Sequence, residues 1–134
     1  MSFKSHYRAY QEFLTLLKKF QNHCDFVLVN SDVNALQPEF ESLQQWFPAH
    51  LIPLSAEDLE PAIAPRWQSM QTEIKREFRL LTTDVIFLAS SRQTATQEKR
   101  LKSVSDRLKK LRDYSQAILN CYEHITSANR HLDT

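Results

Sequence analysis

Five histidines (His6, His23, His50, His124 and His131) and two cysteines (Cys24 and Cys121) are the residues here that could ligate a metal or serve as base and nucleophile. Their spacing argues against both uses. No two histidines stand at i, i+4, and no Glu-x-x-His occurs, so the ligand pattern by which helix bundles hold zinc or a di-iron pair is missing. Glu123 and His124 are adjacent and project from diverging faces of a helix. The histidines are expected to be ordinary surface or helix-end residues. The two cysteines are expected to be small packing residues, since a disulfide is unusual in an intracellular helical domain. A Ser or Cys nucleophile needs a base held by a third group, and no spacing here demands one. The carboxylates are scattered among Lys and Arg, as on solvated helix faces. No catalytic, cofactor-binding or metal-binding residue is assigned, no cofactor is expected, and the chain reads as a non-enzyme.

One segment could do chemistry of another kind, which is recognition. Lys99, Arg100, Lys102, Arg107, Lys109, Lys110 and Arg112 lie within fourteen residues and are opposed only by Asp106. On a helical period, Lys99, Lys102, Asp106, Lys109, Lys110 and Asp113 form a broad band, with Arg100 and Arg107 one heptad apart on a flank. The bland reading is a charged face that keeps a long helix soluble. The sharper one is a docking surface for an acidic partner. Nucleic acid is disfavoured because groove readers carry more net charge and a recognisable motif. A membrane-surface role would need exposed Trp, Phe and Leu opposite the band, and those residues are committed to the core pattern.

The elements that must position this band follow from composition. The chain has 134 residues, 42% hydrophobic and 25% charged, with a formal net charge of +1. It contains no glycine, where about nine would be average. That removes the glycine-dependent phosphate and dinucleotide loops and the G-x-S-x-G elbow. It also disfavours tight β-hairpins, whose turns want positive φ. All five prolines fall between Pro38 and Pro65, leaving Pro-free flanks with nothing but Ser, Thr and Asn to interrupt a helix. The longest uncharged stretch, Ser42 to Ala56, is too short and too polar to span a bilayer. Lys4, Arg8 and Glu12 stand where a signal peptide would be apolar, so a cytoplasmic location is expected.

Apolar spacing predicts an all-α fold, an antiparallel bundle of three long helices and one short helix in a single domain over residues 1–134. Leu101, Val104, Leu108, Leu111, Ser115, Ile118, Tyr122 and Ile125 alternate at three and four residues, predicting a helix over about 95–126. Thr94 with Gln97 has the form of a capping box. Trp67, Met70, Ile74, Phe78, Leu81, Val85 and Leu88 predict a helix over 66–91, with Pro65 in its first turn. Val85 to Ala89 is wholly apolar and is expected to be covered on several sides. The connection between these helices is short, which predicts a long C-terminal αα-hairpin. Phe3, Tyr7, Tyr10, Leu14, Leu17 and Cys24, with Phe13, Leu16 and Phe20, predict a helix over 3–24. Leu36, Phe40, Leu43 and Phe47 predict a shorter one over 35–47, with Asn34 as N-cap and Pro48 at its exit. Phe26 to Val29 reads as an apolar connector packed on the bundle. Residues 48 to 65 read as an acidic, Pro-rich crossover with one short turn opened by Ser55. A long crossover and a short second helix leave one apolar groove only partly covered, open to a partner or a second copy.

Charge is segregated along the chain. Residues 25–65 hold seven acids and no Lys or Arg, whereas 66–112 hold twelve basic residues and five acids. Segregation of this kind governs how a surface meets its partners.

The stretch from Asp84 through Leu119, DVIFLASSRQTATQEKRLKSVSDRLKKLRDYSQAIL, resembles the cyanobacterial PatD family. The resemblance is carried by Asp84 with Phe87-Leu88, Arg92-Gln93, Ala95-Thr96, Arg100-Leu101, Ser105-Asp106-Arg107-Leu108, Tyr114 and Ala117-Ile118-Leu119. It covers about a quarter of the chain, while the N-terminal half is similar only in length and in its aromatic-rich helix. The resemblance implies a small helical regulator that associates with the tubulin-like division protein FtsZ, promotes its assembly and links cell division to heterocyst frequency. By their place in or beside that motif, Arg92, Arg100, Asp106, Arg107, Lys109 and Lys110 are candidate partner-binding residues. The structural alternatives are that Arg92 closes the helix hairpin onto Asp84 or a carbonyl, and that Asp106 pairs with Lys102, Lys109 or Lys110 of its own helix. Two other functions stay open: a helical scaffold that self-associates as a homo-oligomer, and binding of nucleic acid or anionic lipid by the basic face.

Overall fold

The computed structural model describes the backbone of residues 3–30 and 33–132, and the side chains of 4–27 and 33–124. The described residues include no strand, and outside residues 51–63 and 91–93 they are helical. Four helices follow in order: α1 (Phe3–Asn30), α2 (Leu36–His50), α3 (Ala64–Ser90) and α4 (Thr94–Leu132). Single 3-10 turns lie at Val33–Ala35 and Ala56–Asp58. Phe3, Val29, Ile125 and His131 fall outside the residues whose side chains are described.

The predicted stripes are the buried faces. In α4, Leu101, Val104, Leu108, Leu111, Ser115, Ile118 and Tyr122 are all buried. In α3, Trp67, Ile74, Phe78, Leu81, Val85 and Leu88 are buried, with Met70 at the edge. Each helix is too polar around its circumference to stand alone, and burying these stripes together supplies the stability that propensity does not.

Several boundaries differ from expectation, each for a local reason. The run Phe26–Val29 is the last turn of α1 and not a connector. Val27 extends the buried stripe of Phe20 and Cys24 by one more step, and no Gly or Pro intervenes to stop the helix. Asn34 is not the N-cap of α2. It lies within the 3-10 turn, and the cap position is Ala35 in helical conformation without a side-chain bond. Pro48 does not end α2 but sits inside its final turn. A proline there removes only one bond to the preceding turn. The end is closed by the backbone N–H groups of Leu51 and Ile52, which donate to the Phe47 carbonyl at 2.9 and 3.3 Å. Thr94 is the first residue of α4, and the Gln97 side-chain amide donates to the Ser91 carbonyl at 2.9 Å, tying the start of α4 to the end of α3. The short turn opened by Ser55 is present, its Oγ accepting from Glu57 N–H at 3.2 Å.

Side-chain pairs show which helices are neighbours. His6 meets Tyr122 and Gln21 meets Ser105 across α1 and α4. Phe13 meets Phe47 and Phe20 meets Phe40 across α1 and α2. Asp84 meets Ser103 and Glu77 meets Arg107 across α3 and α4. In each case numbers rise along one helix as they fall along the other. The aromatic centre lies where α1, α2 and α3 meet. The Phe78 ring stacks on Phe47 at 4.0 Å between centroids, with Phe40 at 5.8 Å and Phe13 at 6.3 Å.

The wholly apolar turn Val85–Ala89 is not covered on several sides. Val85 and Leu88 are buried, but Ile86 is 55% exposed and Phe87 47%. The chief neighbours of α3 are α4 and α2, and neither covers Ile86 or Phe87 fully.

A second buried cluster pins the crossover to the far end of the bundle. Gln71 Nε2 donates to the Leu51 carbonyl at 3.1 Å, Trp67 Nε1 donates to Tyr10 Oη at 2.9 Å, and the Tyr10 hydroxyl donates to Gln71 Oε1. His6 lies beside them, fully buried, which corrects the expectation that every histidine is superficial. It occupies a core position of α1, four residues before Tyr10. Its Nδ1 is 3.2 Å from Tyr122 Oη, and its Nε2 is 3.9 Å from Asp58 Oδ2 in the crossover. The Trp67 ring packs edge-on at 5.2 Å. Burial holds the imidazole below its ordinary value of 6.5, with Asp58 only partly opposing this.

Two outcomes follow. Phe78→Ala removes the ring shared by three others and should lower unfolding free energy by about 3–5 kcal/mol in a denaturant titration. The depressed His6 value means that, below 6.5, the unfolded chain takes up a proton that the folded chain refuses. Stability should therefore be level above that value and fall as pH drops through it. Denaturant titrations from about pH 8 to about pH 5 should show this slope in the native chain and a smaller one in His6→Gln.

Candidate interaction surface

The α3–α4 hairpin carries the candidate residues, and a buried ionic seam sets its register. Glu77 and Asp84 stand one heptad apart on α3, on the flank of its stripe that faces α4. Both are buried, Glu77 to 2% exposure. Arg107 reaches between them from α4. Its Nη1 donates to Glu77 Oε2 at 3.0 Å and its Nε to Asp84 Oδ2 at 3.3 Å. Ser103 Oγ also donates to Asp84 Oδ2 at 3.0 Å, and Arg100 Nη1 approaches Asp84 Oδ1 at 3.8 Å. Arg76 Nη1 lies 3.5 Å from Glu77 Oε1. Burial alone would draw the Arg107 guanidinium down, but hydrogen bonds and charge from Glu77 and Asp84 outweigh it and hold the group above its ordinary value. These charges are neutralised in place, so they fasten two helices and offer little to a partner.

The six candidate residues thus separate. Arg107 is turned inward by Glu77 and Asp84. Arg100 is half-engaged: it reaches Asp84, and its guanidinium carbon lies 4.9 Å from the centre of the Phe87 ring. Arg92 is exposed in the turn between α3 and α4. The partners of Asp84 are Arg100, Ser103 and Arg107; Ser91 Oγ caps the end of α3 by donating to the Phe87 carbonyl at 2.7 Å, and Gln97 of α4 bonds across the turn to the Ser91 carbonyl. Asp106, Lys109 and Lys110 are exposed on the outer face of α4. Lys109 pairs with Asp113 at 3.3 Å, an exposed i, i+4 pair of small energetic weight. Lys99 and Lys102 share the exposed face with them.

Glu77 was not singled out in the sequence, and Ile86 and Phe87 were expected to be covered, not to form an exposed surface. Glu77 had a legible signal, since it precedes Asp84 by the same heptad that separates Arg100 from Arg107. Ile86 and Phe87 had none, because an apolar residue beside a stripe reads as part of the core.

Among the described residues, no three His, Cys, Asp or Glu side chains gather to hold a metal ion. Cys24 is buried, and burial pushes its thiol up to about 12. Cys121 and His124 line one groove with Arg66 and Asn120 at the other end of α4. Among the described residues no helix is long and apolar enough to cross a membrane. Compared with protein-family models, curated proteins and solved structures, the chain matches none.

Truncating one partner of the seam strands a buried charge. Arg107→Leu should cost about 3 kcal/mol or more in a denaturant titration, because Glu77 loses its main counter-charge. Adding Glu77→Leu should recover part of that loss. A double variant as unstable as the sum of its two singles would show that the pair is not energetically coupled.

Proposed function

We propose that this chain is a non-enzymatic regulator resembling the PatD family, which binds FtsZ in the cytoplasm and modulates its assembly, linking cell division to heterocyst frequency. Its scaffold in this reading is an antiparallel bundle of three long helices and one short helix, ending in the α3–α4 hairpin. The observation that carries the reading is the Asp84–Leu119 segment, whose quoted residues resemble that family. The arrangement of the same segment supports it. Asp84, Ser103 and Arg107 face inward and hold the hairpin together, while Lys99, Lys102 and Lys110 remain on the outer face of α4. An exposed band of like charge accelerates encounter with an acidic filament surface. It does so without a pocket or a reactive group, as suits a regulator that acts by contact.

The test is sedimentation of polymerising FtsZ with and without the purified protein. The pelleted fraction should change, and the effect should weaken as salt rises, because the screening length shrinks from about 10 Å at 0.1 M to about 3 Å at 1 M. Reversing charge at Lys99, Lys102 and Lys110 should reduce the effect with the helical signal unchanged. An unchanged pellet at every salt concentration would remove the reading.

A further inference from the structure

At the hairpin end of the molecule, apolar and basic groups adjoin in a way that the fold itself does not use. Ile86 and Phe87 are consecutive, large and about half exposed. Their neighbours Val85 and Leu88 already supply the contacts α3 needs with the core. The Phe87 ring is not loose: Arg100 lies over its face at 4.9 Å, and the turn that follows it is closed by Ser91. Holding an exposed aromatic ring in one position lowers the cost of binding it later.

On one side of this pair runs a groove of about 390 Å³ between α2 and α3. Ile86 is the exposed apolar side chain in its wall, Phe40 and Val85 lie buried at its floor, Gln37 and Gln44 line it from α2, and Glu41 is the acid among its lining residues. On the other side lies the start of α4. Between Ile86 and Ser103 the sequence holds Arg92, Lys99, Arg100 and Lys102 against the single acid Glu98. The patch therefore has an apolar centre with a positive flank towards α4 and a negative residue towards α2.

We infer that Ile86, Phe87 and the adjoining groove anchor a protein segment that carries apolar side chains flanked on one side by carboxylates. The polarity of the site sets the orientation. The apolar side chains enter the α2–α3 groove, and the carboxylates lie over Arg92, Lys99 and Arg100. Aromatic and arginine side chains are the residue types on which binding energy concentrates, and both stand here side by side. The patch holds Arg92, Lys99, Arg100 and Lys102 against Glu98 and Glu41, so a second copy would meet it with net like charge, whereas a carboxylate-bearing segment is complementary to it. The inference deepens the proposed function: it locates the anchor on the partner-binding hairpin, and it assigns the mid-helix lysines to steering.

The experiment has two arms, so that the two readings fail separately. In the first, FtsZ is immobilised and binding kinetics are followed by interferometry. Ile86→Ser and Phe87→Ser, each at an exposed site and each with unchanged circular dichroism, should raise the dissociation rate about tenfold or more. Lys109→Glu with Lys110→Glu, about 15 Å further along α4, should chiefly slow association. Wild-type dissociation in both serine variants overturns the anchor while leaving FtsZ binding in place. In the second arm, a fluorescein-labelled peptide with two phenylalanines next to a run of glutamates is titrated by anisotropy. It should bind, weaken with salt and lose about tenfold or more in affinity to Phe87→Ser. This arm stands whether or not FtsZ binds. An absence of peptide binding, equal binding to the serine variants, or equal binding of a lysine-flanked peptide overturns the inference. So does Phe87-dependent capture by phosphatidylserine vesicles, or Phe87-dependent self-association, where the acidic peptide fails to bind.

Discussion

Arg107 clasped between Glu77 and Asp84 is the interaction on which the functional end of this molecule depends. Apolar stripes tell two helices to pack, but they tolerate a slip of one turn, because Leu, Ile and Val interchange at modest cost. A buried carboxylate pair with one guanidinium does not tolerate it. A slip of α4 along α3 by one turn would move the cation about 5.4 Å and leave buried Glu77 with only the exposed Arg76 of its own helix. The seam adds little net stability over a well-packed apolar contact, and its effect is on register. Register, in turn, places Arg100 over Phe87 and sets the start of α4 beside the exposed end of α3.

The opposite end is fixed by a different device, a network of neutral polar groups. Tyr10, Trp67 and Gln71 connect α1 and α3 to the carbonyl of Leu51, where the crossover begins. His6 adds α4 through Tyr122 and the middle of the crossover through Asp58. A Pro-rich segment of this length has few backbone bonds of its own, so the side chains of three helices supply its anchorage. The same low-dielectric setting that strengthens these bonds also keeps the imidazole from taking a proton, and so couples this end of the bundle to pH.

Much of the architecture was legible because it follows from period and punctuation. Four stripes, no glycine and prolines confined to one stretch were enough to foresee four helices and the crossover between the second and third. The misreadings share one cause: residue type was read without the neighbours that decide its environment. Phe26 to Val29 looked like a β-run because its residues are β-formers, yet Val27 belongs to the α1 stripe and the turn is helical. His6 was set on the surface as histidines usually are, although its place four residues before Tyr10 puts it in the core. Pro48 looked like a helix end, but in the last turn it forfeits only the one bond its missing N–H would have made to the Gln44 carbonyl, and the turn closes through Leu51 and Ile52. Of the candidate surface, the cations were visible in the sequence. Their division into inward and outward groups was not, because that depends on Glu77 and Asp84 approaching from another helix.

That division bears on how a basic helix should be interpreted. Seven cations within fourteen residues suggest a broad electrostatic footprint. Once Arg107 is subtracted for the seam, Arg100 in part for Asp84 and Lys109 in part for Asp113, what remains is Lys99, Lys102 and Lys110, with Arg112 half-buried beside them and Arg92 in the turn before α4. A footprint that small, interrupted by Asp106, is weak as a sole source of affinity. Exposed charge of this kind raises encounter rates and is screened by salt, whereas residence time comes from buried, desolvated contacts. A surface built only from the α4 band would associate quickly and let go quickly. The two large apolar side chains left uncovered at the same end of the hairpin supply the complementary property. The proposed surface therefore rests on a combination: exposed lysines along α4 suited to drawing an acidic partner in, and a ring held in place by Arg100 that such a partner could bury.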